Sequence, residues 1–228
     1  MKLHPYKIPI KEMVERYQRL YTAAINDIFQ ERNLHNQWLG PEVKCRTKDL
    51  VGEVIAGFAF TIQWVFNPLP SKKEQRAAKM VDSYPEGGII VVDTGADQVS
   101  GFWGELATTV CMKNGVKGAV INGGAKDTGF VKKMGFPIFC RFTSPVDGFY
   151  RSHLLDWQIP IWFNGILIQP GDFIVGDSDG VLVIPQEIAE EVLIEAETRA
   201  KNESDTRQLL KKGVPADEAS RRTGRRDL

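Results

Sequence analysis

Residues 101–127, GFWGELATTVCMKNGVKGAVINGGAKD, constrain the fold more than any other stretch of the chain. Gly101 and Gly104 lead into a helical pattern that sets Leu106, Val110 and Cys111 on one face. A short apolar strand follows at Ala119-Val120-Ile121, breaks at Asn122-Gly123-Gly124 and delivers Lys126 and Asp127. Helix-strand alternation of this kind belongs to an α/β sheet, where ligands gather at strand ends and helix starts. The unit sets one carboxylate, Glu105, at a helix start. It sets an ammonium and a second carboxylate at the end of the next strand. That corner is the candidate active site.

The rest of the chain is consistent with α/β architecture and a mixed sheet. Met13, Val14, Tyr17, Leu20, Tyr21, Ala24 and Ile28 share one helical face across residues 11–31. Residues 53–66 read as a β-branched and aromatic strand, ended by Asn67-Pro68 and Pro70. Ser71 and Glu74 have the spacing of a capping box for a helix through Met80 and Val81. A buried strand is expected at 88–93, a short helix at 130–134 and a strand at 137–140. Four short strands follow at 161–163, 166–168, 173–175 and 181–184, joined by turn chemistry at Asn164-Gly165, Pro170-Gly171-Asp172 and Asp177-Ser178-Asp179-Gly180. Trp157 and Trp162 are expected to fill core or interface. A strong helix runs from 186 to about 201, and a looser, basic-leaning tail reaches Leu228. The expected division is one α/β domain over 1–200 and a C-terminal helical extension over 201–228. The final helices look too long and too lightly apolar for one small domain to cover. Val192, Leu193, Leu209 and Leu210 are therefore expected to face a partner subunit.

Composition removes several function classes. Hydrophobic residues make up 43% of the 228, enough for a real core. Lys+Arg and Asp+Glu are balanced at 29 each, so no global field draws the chain to nucleic acid or an anionic membrane. The opening MKLHPYKIPIKEMVERY lacks an apolar signal core, and no 18-residue apolar run occurs, so the expectation is a cytoplasmic protein. Cys45, Cys111 and Cys140 are odd in number and far apart, which favours reduced thiols. His4, His35 and His153 are equally scattered, which disfavours a zinc site of ordinary spacing.

Taken as a dipeptide, Lys126-Asp127 is first a solvated pair in a loop. Three features favour a site instead: Gly123 and Gly124 let backbone approach a ligand, the preceding strand ends at a sheet edge, and the Glu105 helix start offers N–H groups to an anion. Asp177-Ser178-Asp179-Gly180 looks like the opening of a calcium loop, but its twelfth position is Ile188, which cannot ligate a cation. Gly101-x-x-Gly104 does not follow the dinucleotide order, and no Walker-type loop exists. Ser83, Ser144 and Ser152 lack a nucleophile elbow. Lys211-Lys212, Arg221-Arg222 and Arg225-Arg226 form a basic tail without interleaved aromatics, so RNA contact is the lesser reading.

With Gly104-Glu105-Leu106 at the helix start and Asn122-Gly123-Gly124-Ala125-Lys126-Asp127 at the strand end, the chain resembles a known family. That family comprises the 4-hydroxy-4-methyl-2-oxoglutarate aldolases and the related regulator of ribonuclease activity A. Further likeness lies in Gly52-Glu53 through Ala59-Phe60-Thr61, in Pro137-Ile138-Phe139, and in Pro170-Gly171-Asp172 through Asp179-Gly180-Val181 to Pro185. The family's aldolases carry an acid, twenty residues, then Arg-Asp; here Glu105 stands for their Asp and Lys126 for their Arg. The resemblance implies a β/β/α core, and trimeric or hexameric rings with sites between subunits. It implies that Asp127 holds a divalent metal, Mg²⁺ or Mn²⁺. It also implies that the Gly104 corner and the N–H groups of Leu106 and Ala107 hold a pyruvate-type carboxylate. Lys126 would stabilise an enolate, and Glu105 would orient a proton-carrying water. Glu203 is a candidate for the neighbouring subunit's contribution.

The function expected from these residues is a metal-dependent lyase. It would act as an aldolase, a decarboxylase or both on a 4-hydroxy-2-oxo acid or an oxaloacetate-like substrate. The alternative is a non-catalytic binding protein of the same fold that regulates RNA-processing machinery. Methyl transfer is weaker, because no Gly-rich cofactor loop follows a first strand.

Overall fold

The computed structural model describes residues 4–67, 76–95 and 97–224. The first half of the chain forms α1 (Ile10–Tyr17), α2 (Thr22–Glu31), β1 (Lys44–Cys45), β2 (Ile55–Phe66), α3 (Arg76–Asp82), β3 (Gly88–Asp93), β4 (Gly101–Trp103) and α4 (Glu105–Asn114). The second half forms β5 (Gly118–Ala125), α5 (Thr128–Met134), β6 (Ile138–Thr143), β7 (Ser152–Trp157), β8 (Ile161–Phe163), β9 (Ile166–Ile168), β10 (Phe173–Gly176), β11 (Val181–Ile184), α6 (Ala189–Lys211) and α7 (Ala216–Thr223).

Nine strands make one mixed sheet in the order β1-β6-β5-β3-β2-β10-β11, with β4 beside β5 and β7 beside β2. The centre, β2-β3-β5-β6, is parallel, and the flanks are antiparallel. Side chains alternate across the sheet, as the two-residue period of a strand demands. Ile90, Val92, Ala119 and Ile121 face α3, α4 and α5, where Met80, Cys111 and Val131 meet them. Ile89, Val91 and Val120 face the other way, onto the small β8–β9 hairpin with Ile161, Phe163 and Ile168. Burial on both faces is why β3 reads as an unbroken apolar run. A third apolar cluster joins α1, α2 and α6 to β10 and β11.

Several expectations change. The helical face over 11–31 is two helices, because the chain turns at residues 18–21 and restarts at Thr22. Asp177, in the β10–β11 loop, accepts from Thr22 N and Thr22 Oγ1, both at 2.8 Å, and so caps α2 from 155 positions away. The same loop is a turn, as its composition suggested, with Asp177 N donating to Gly180 O at 3.0 Å. The tail is helical: α6 runs unbroken to Lys211, and α7 folds back so that Thr206 and Thr223 share a hydrogen bond of 2.6 Å. Val192 and Leu193 do not await a partner. They are fully buried by α1 and α2 of their own chain, while Leu210 stays exposed. Trp157 packs against the core beneath Arg76, but Trp162 is 63% exposed. The strands β1, β4 and β7 had no counterpart in the sequence pattern. The Ser71–Glu74 capping box lies outside the described residues. No helix among the described residues is long and apolar enough to cross a membrane.

Candidate active site

The corner is assembled by backbone bonds before any side chain acts. Strand β4 runs parallel to β5, pairing Gly101 with Gly124 and Trp103 with Ala125, and Lys126 N donates to Trp103 O at 2.7 Å. The start of α4 is thereby fixed to the end of β5. Trp103 anchors this joint: its indole is buried, stacks on Tyr84 and donates to Thr108 Oγ1 at 3.0 Å. Gly104 is the N-cap of α4 and supplies no side-chain cap. The first-turn N–H groups of Glu105, Leu106 and Ala107 therefore lack intrahelical acceptors. A Cβ at Gly104 would lie 2.5 Å from Asp127 Oδ2 and 3.1 Å from Lys126 Cγ, so a side chain there would displace the Asp127 carboxylate from the helix start.

Asp127 is exposed at the N-cap of α5 with φ +56°. A non-glycine residue in the left-handed region carries backbone strain, and such strain concentrates at functional sites. Lys126 is half-buried, and its Nζ donates to Asp147 Oδ2 at 2.7 Å. The segment carrying Asp147 is itself tied to the corner. Ser144 N donates to Ala125 O at 2.9 Å, Gly101 N donates to Val146 O at 2.8 Å, and Gly101 bridges to Asp147.

The loop delivering Gly101 is held from below. Asp93 accepts from Gln63 Nε2 at 2.5 Å, Asn122 Nδ2 at 2.6 Å and Gly95 N at 3.2 Å. Asp97 accepts from Ser100 N and Val99 N, each at 2.7 Å, and from Ser100 Oγ at 2.8 Å. Burial works against ionising Asp97, but these donors and Arg151 outweigh it and hold the carboxyl below its usual range.

The structure thus brings Gly104, Glu105, Leu106, Ala107, Lys126 and Asp127 into one corner. Two readings shift. Gly123 and Gly124 are buried and face the protein: a Cβ on the first would strike Thr94, and on the second the Phe142 ring and Ser100 O. They permit internal packing, and it is Gly104 that permits close approach at the corner. Glu203 is engaged within its own chain, where it accepts from Tyr21 Oη. Asp147 had no place in the sequence reading; only its turn-like setting, Ser144-Pro145-Val146-Asp147-Gly148, was visible.

Among the described residues no three His, Cys, Asp or Glu side chains cluster as a metal cage. Asp127, the exposed carboxylate beside Gly104, fits a hard cation that keeps waters and substrate oxygens, the habit of Mg²⁺ rather than of zinc. Cys111 and Cys140 are buried, and burial pushes the Cys140 thiol up to about 11, away from thiolate chemistry.

The sequence profile of the RraA-like family, described as Aldolase/RraA, matches residues 22–183. A protein of Halalkalibacterium halodurans that carries the provisional name 4-hydroxy-4-methyl-2-oxoglutarate aldolase is 32% identical over 57% of this chain. The chain spans 61% of that relative's length and 23% of a longer one. Among solved structures, one described as novel cellulases from gut-associated microbes aligns at TM-score 0.83 and 34% identity over 90% of each chain. Streptomyces coelicolor RraAS2, described as an unusual member of the RNase ES inhibitor RraA family, shares the fold at TM-score 0.75 and 23% identity, over 89% of this chain and 99% of its own. On the strength of the profile match, the chain belongs to the RraA-like family.

Proposed function

We propose that the chain is a divalent-metal-dependent lyase that cleaves a 4-hydroxy-2-oxo acid, or decarboxylates an oxaloacetate-like acid, and releases pyruvate through an enolate. The observation that carries this reading is the closeness of Gly104 to Asp127 Oδ2 and to the Lys126 side chain, which joins a helix start, a carboxylate and an ammonium in one corner. The relatives named as aldolases point the same way.

In this reading Asp127 holds Mg²⁺ or Mn²⁺, which supplies Lewis acidity toward the 2-oxo group. The N–H groups of Leu106 and Ala107 receive the substrate carboxylate, aided by the positive end of α4. Lys126 donates to the oxygen on which charge develops as the carbon–carbon bond breaks, an interaction stronger in the transition state than in the ground state. Asp147 keeps that ammonium in place. Glu105 orients the water that returns a proton to C3. The assembly proposed is a homotrimer or homohexamer in the cytoplasm, with the exposed second half of α6 as a contact surface.

The test is pyruvate release from a panel of 4-hydroxy-2-oxo acids and oxaloacetate, with and without Mg²⁺. Metal-stimulated pyruvate release supports the lyase. Its absence across the panel removes the lyase and leaves the binding-protein alternative.

A further inference from the structure

The corner opens sideways into a hollow of about 310 Å³ lined by Asp127, Thr128, Gly129, Phe130 and Lys133. Its walls are unusual for a solvent-facing helix. Phe130 leaves 64% of its surface in water, on the first turn of α5, next to the strained Asp127. Leu106, on the first turn of α4, is 79% exposed. Two large apolar side chains thus stand uncovered on the two helices that frame the corner. Lone exposed apolar residues need no explanation; a pair flanking a candidate site points to a binding surface. At Gly129 a Cβ would meet nothing within 4 Å, so the floor of the hollow is open. Lys133 stands three positions beyond Phe130 on the same helical face, its Nζ 5.9 Å from the Phe130 ring centroid. With a rise of about 1.5 Å per residue, its Cα lies roughly 9 Å along the helix from Asp127.

We infer that this hollow receives the half of the substrate distal to the pyruvate unit, and that the half it selects is an extended apolar arm ending in an anion. Phe130 is the specificity-determining surface for the arm, and Lys133 is the cation for its terminus. The inference rests on the lyase reading, in which the 2-oxo acid end sits at Asp127. An arm that then follows α5 meets the Phe130 ring first and the Lys133 ammonium last. A short, polar distal half would leave Phe130 wet and Lys133 out of reach. Asp127 is the one acidic residue lining the hollow, and it stands at the pyruvate end, so the terminus of the arm meets the Lys133 ammonium and not that carboxylate.

The experiment uses the full-length protein with Mg²⁺ and two measurements. The first is exchange of pyruvate methyl protons in D₂O by the wild-type protein, which needs the pyruvate half of the site and no distal arm. The second is kcat and KM for 4-hydroxy-2-oxo acids of increasing chain length, each with a terminal carboxylate or the corresponding neutral amide. The wild type is expected to favour long over short carboxylates. Lys133→Met is expected to raise KM for long carboxylates about 5-fold, the size of one exposed ion pair, and to change KM for their amides less than about 2-fold. Phe130→Ser should raise KM for long substrates of both kinds. Lys113→Met, at the far end of α4, serves as the control.

Methyl exchange by the wild type with no preference for long anionic substrates overturns the arm and leaves the lyase reading standing. Equal effects of Lys133→Met on carboxylates and amides also overturn it. Loss of oligomeric mass in Phe130→Ser, with KM unchanged, would assign the surface to a second copy of the chain instead. Absence of methyl exchange in the wild type defeats both readings together.

Discussion

The Lys126 ammonium donates to the Asp147 carboxylate at 2.7 Å, so the charge proposed to meet the enolate already has a fixed partner. An ammonium carries three donors, and one bond to Asp147 leaves two for substrate. The pairing turns a flexible four-carbon stem into a positioned charge, at the cost of part of its field.

Lys126→Ala is expected to lower kcat by about two orders of magnitude, the scale of losing an oxyanion stabiliser. Lys126→Arg should be tolerated or improve cleavage, because the guanidinium fork holds two oxygens at once. Steady-state kinetics on the best substrate decides it. An unchanged kcat in Lys126→Ala sinks the mechanism even if the lyase label survives.

Asp147→Asn separates positioning from competition. If Asp147 positions the ammonium, kcat falls about 5- to 10-fold with KM little changed, as for loss of a charged hydrogen bond. If Asp147 instead competes with substrate for Lys126, KM falls and kcat holds, which refutes the positioning role.

Asp127→Ala should abolish metal-stimulated turnover while circular dichroism still reports a folded chain. The left-handed backbone at residue 127 makes alanine slightly strained there, so Asp127→Asn, which tolerates that conformation, is the companion variant. Full Mg²⁺-stimulated activity in both would show that the ligand lies elsewhere.

Asp172 gives a pH signature unrelated to catalysis. It is 3% exposed and accepts from Gln169 N at 2.7 Å and Gln186 N at 3.0 Å. Burial dominates these bonds and, with Glu187 nearby, pushes its pKa up to about 6. The unfolded chain releases that proton near pH 4. Between about pH 4 and 6 the folded state binds more protons, so stability is expected to fall as pH rises through that window and to level above it. Urea unfolding at several pH values should show this slope in the wild type and a flatter profile in Asp172→Asn. Parallel profiles would contradict it.

Light scattering is expected to give a mass near three or six times 25.6 kDa. A clean monomer at micromolar concentration removes the ring assembly.

What the sequence disclosed was local. The β3 and β5 strands, the hairpin strands from β8 to β11 and the closeness of the α4 start to Lys126-Asp127 all follow from short apolar runs, turn residues and the spacing of one helix-strand unit. What it concealed depends on distant partners. Nothing within residues 11–31 announces that Asp177 will cap Thr22. The pattern of β7, SHLLDW, gains meaning only beside the far end of β2. Asp147 becomes a site residue only because residues 144–147 are hydrogen-bonded to β4 and β5. The apolar face of α6 looked surplus until α1 and α2 were seen to cover it.

That covering joins helices far apart in sequence, with Tyr17 and Ala189 separated by 172 positions. Tyr17 Oη donates to Ala189 O at 2.6 Å, Arg16 grips Glu197, Arg32 reaches Glu191 and Glu195, and Arg199 reaches Asp27 and Glu31. During synthesis the first two helices leave the ribosome long before the residues that cap and cover them exist. Short helices without tertiary support are marginal in water. The sheet can nucleate on nascent β2-β3-β5-β6, but the layer of α1, α2 and α6 closes only after residue 199 has emerged. Until then the nascent chain exposes the apolar faces of α1 and α2, surface of the kind from which misassociation starts.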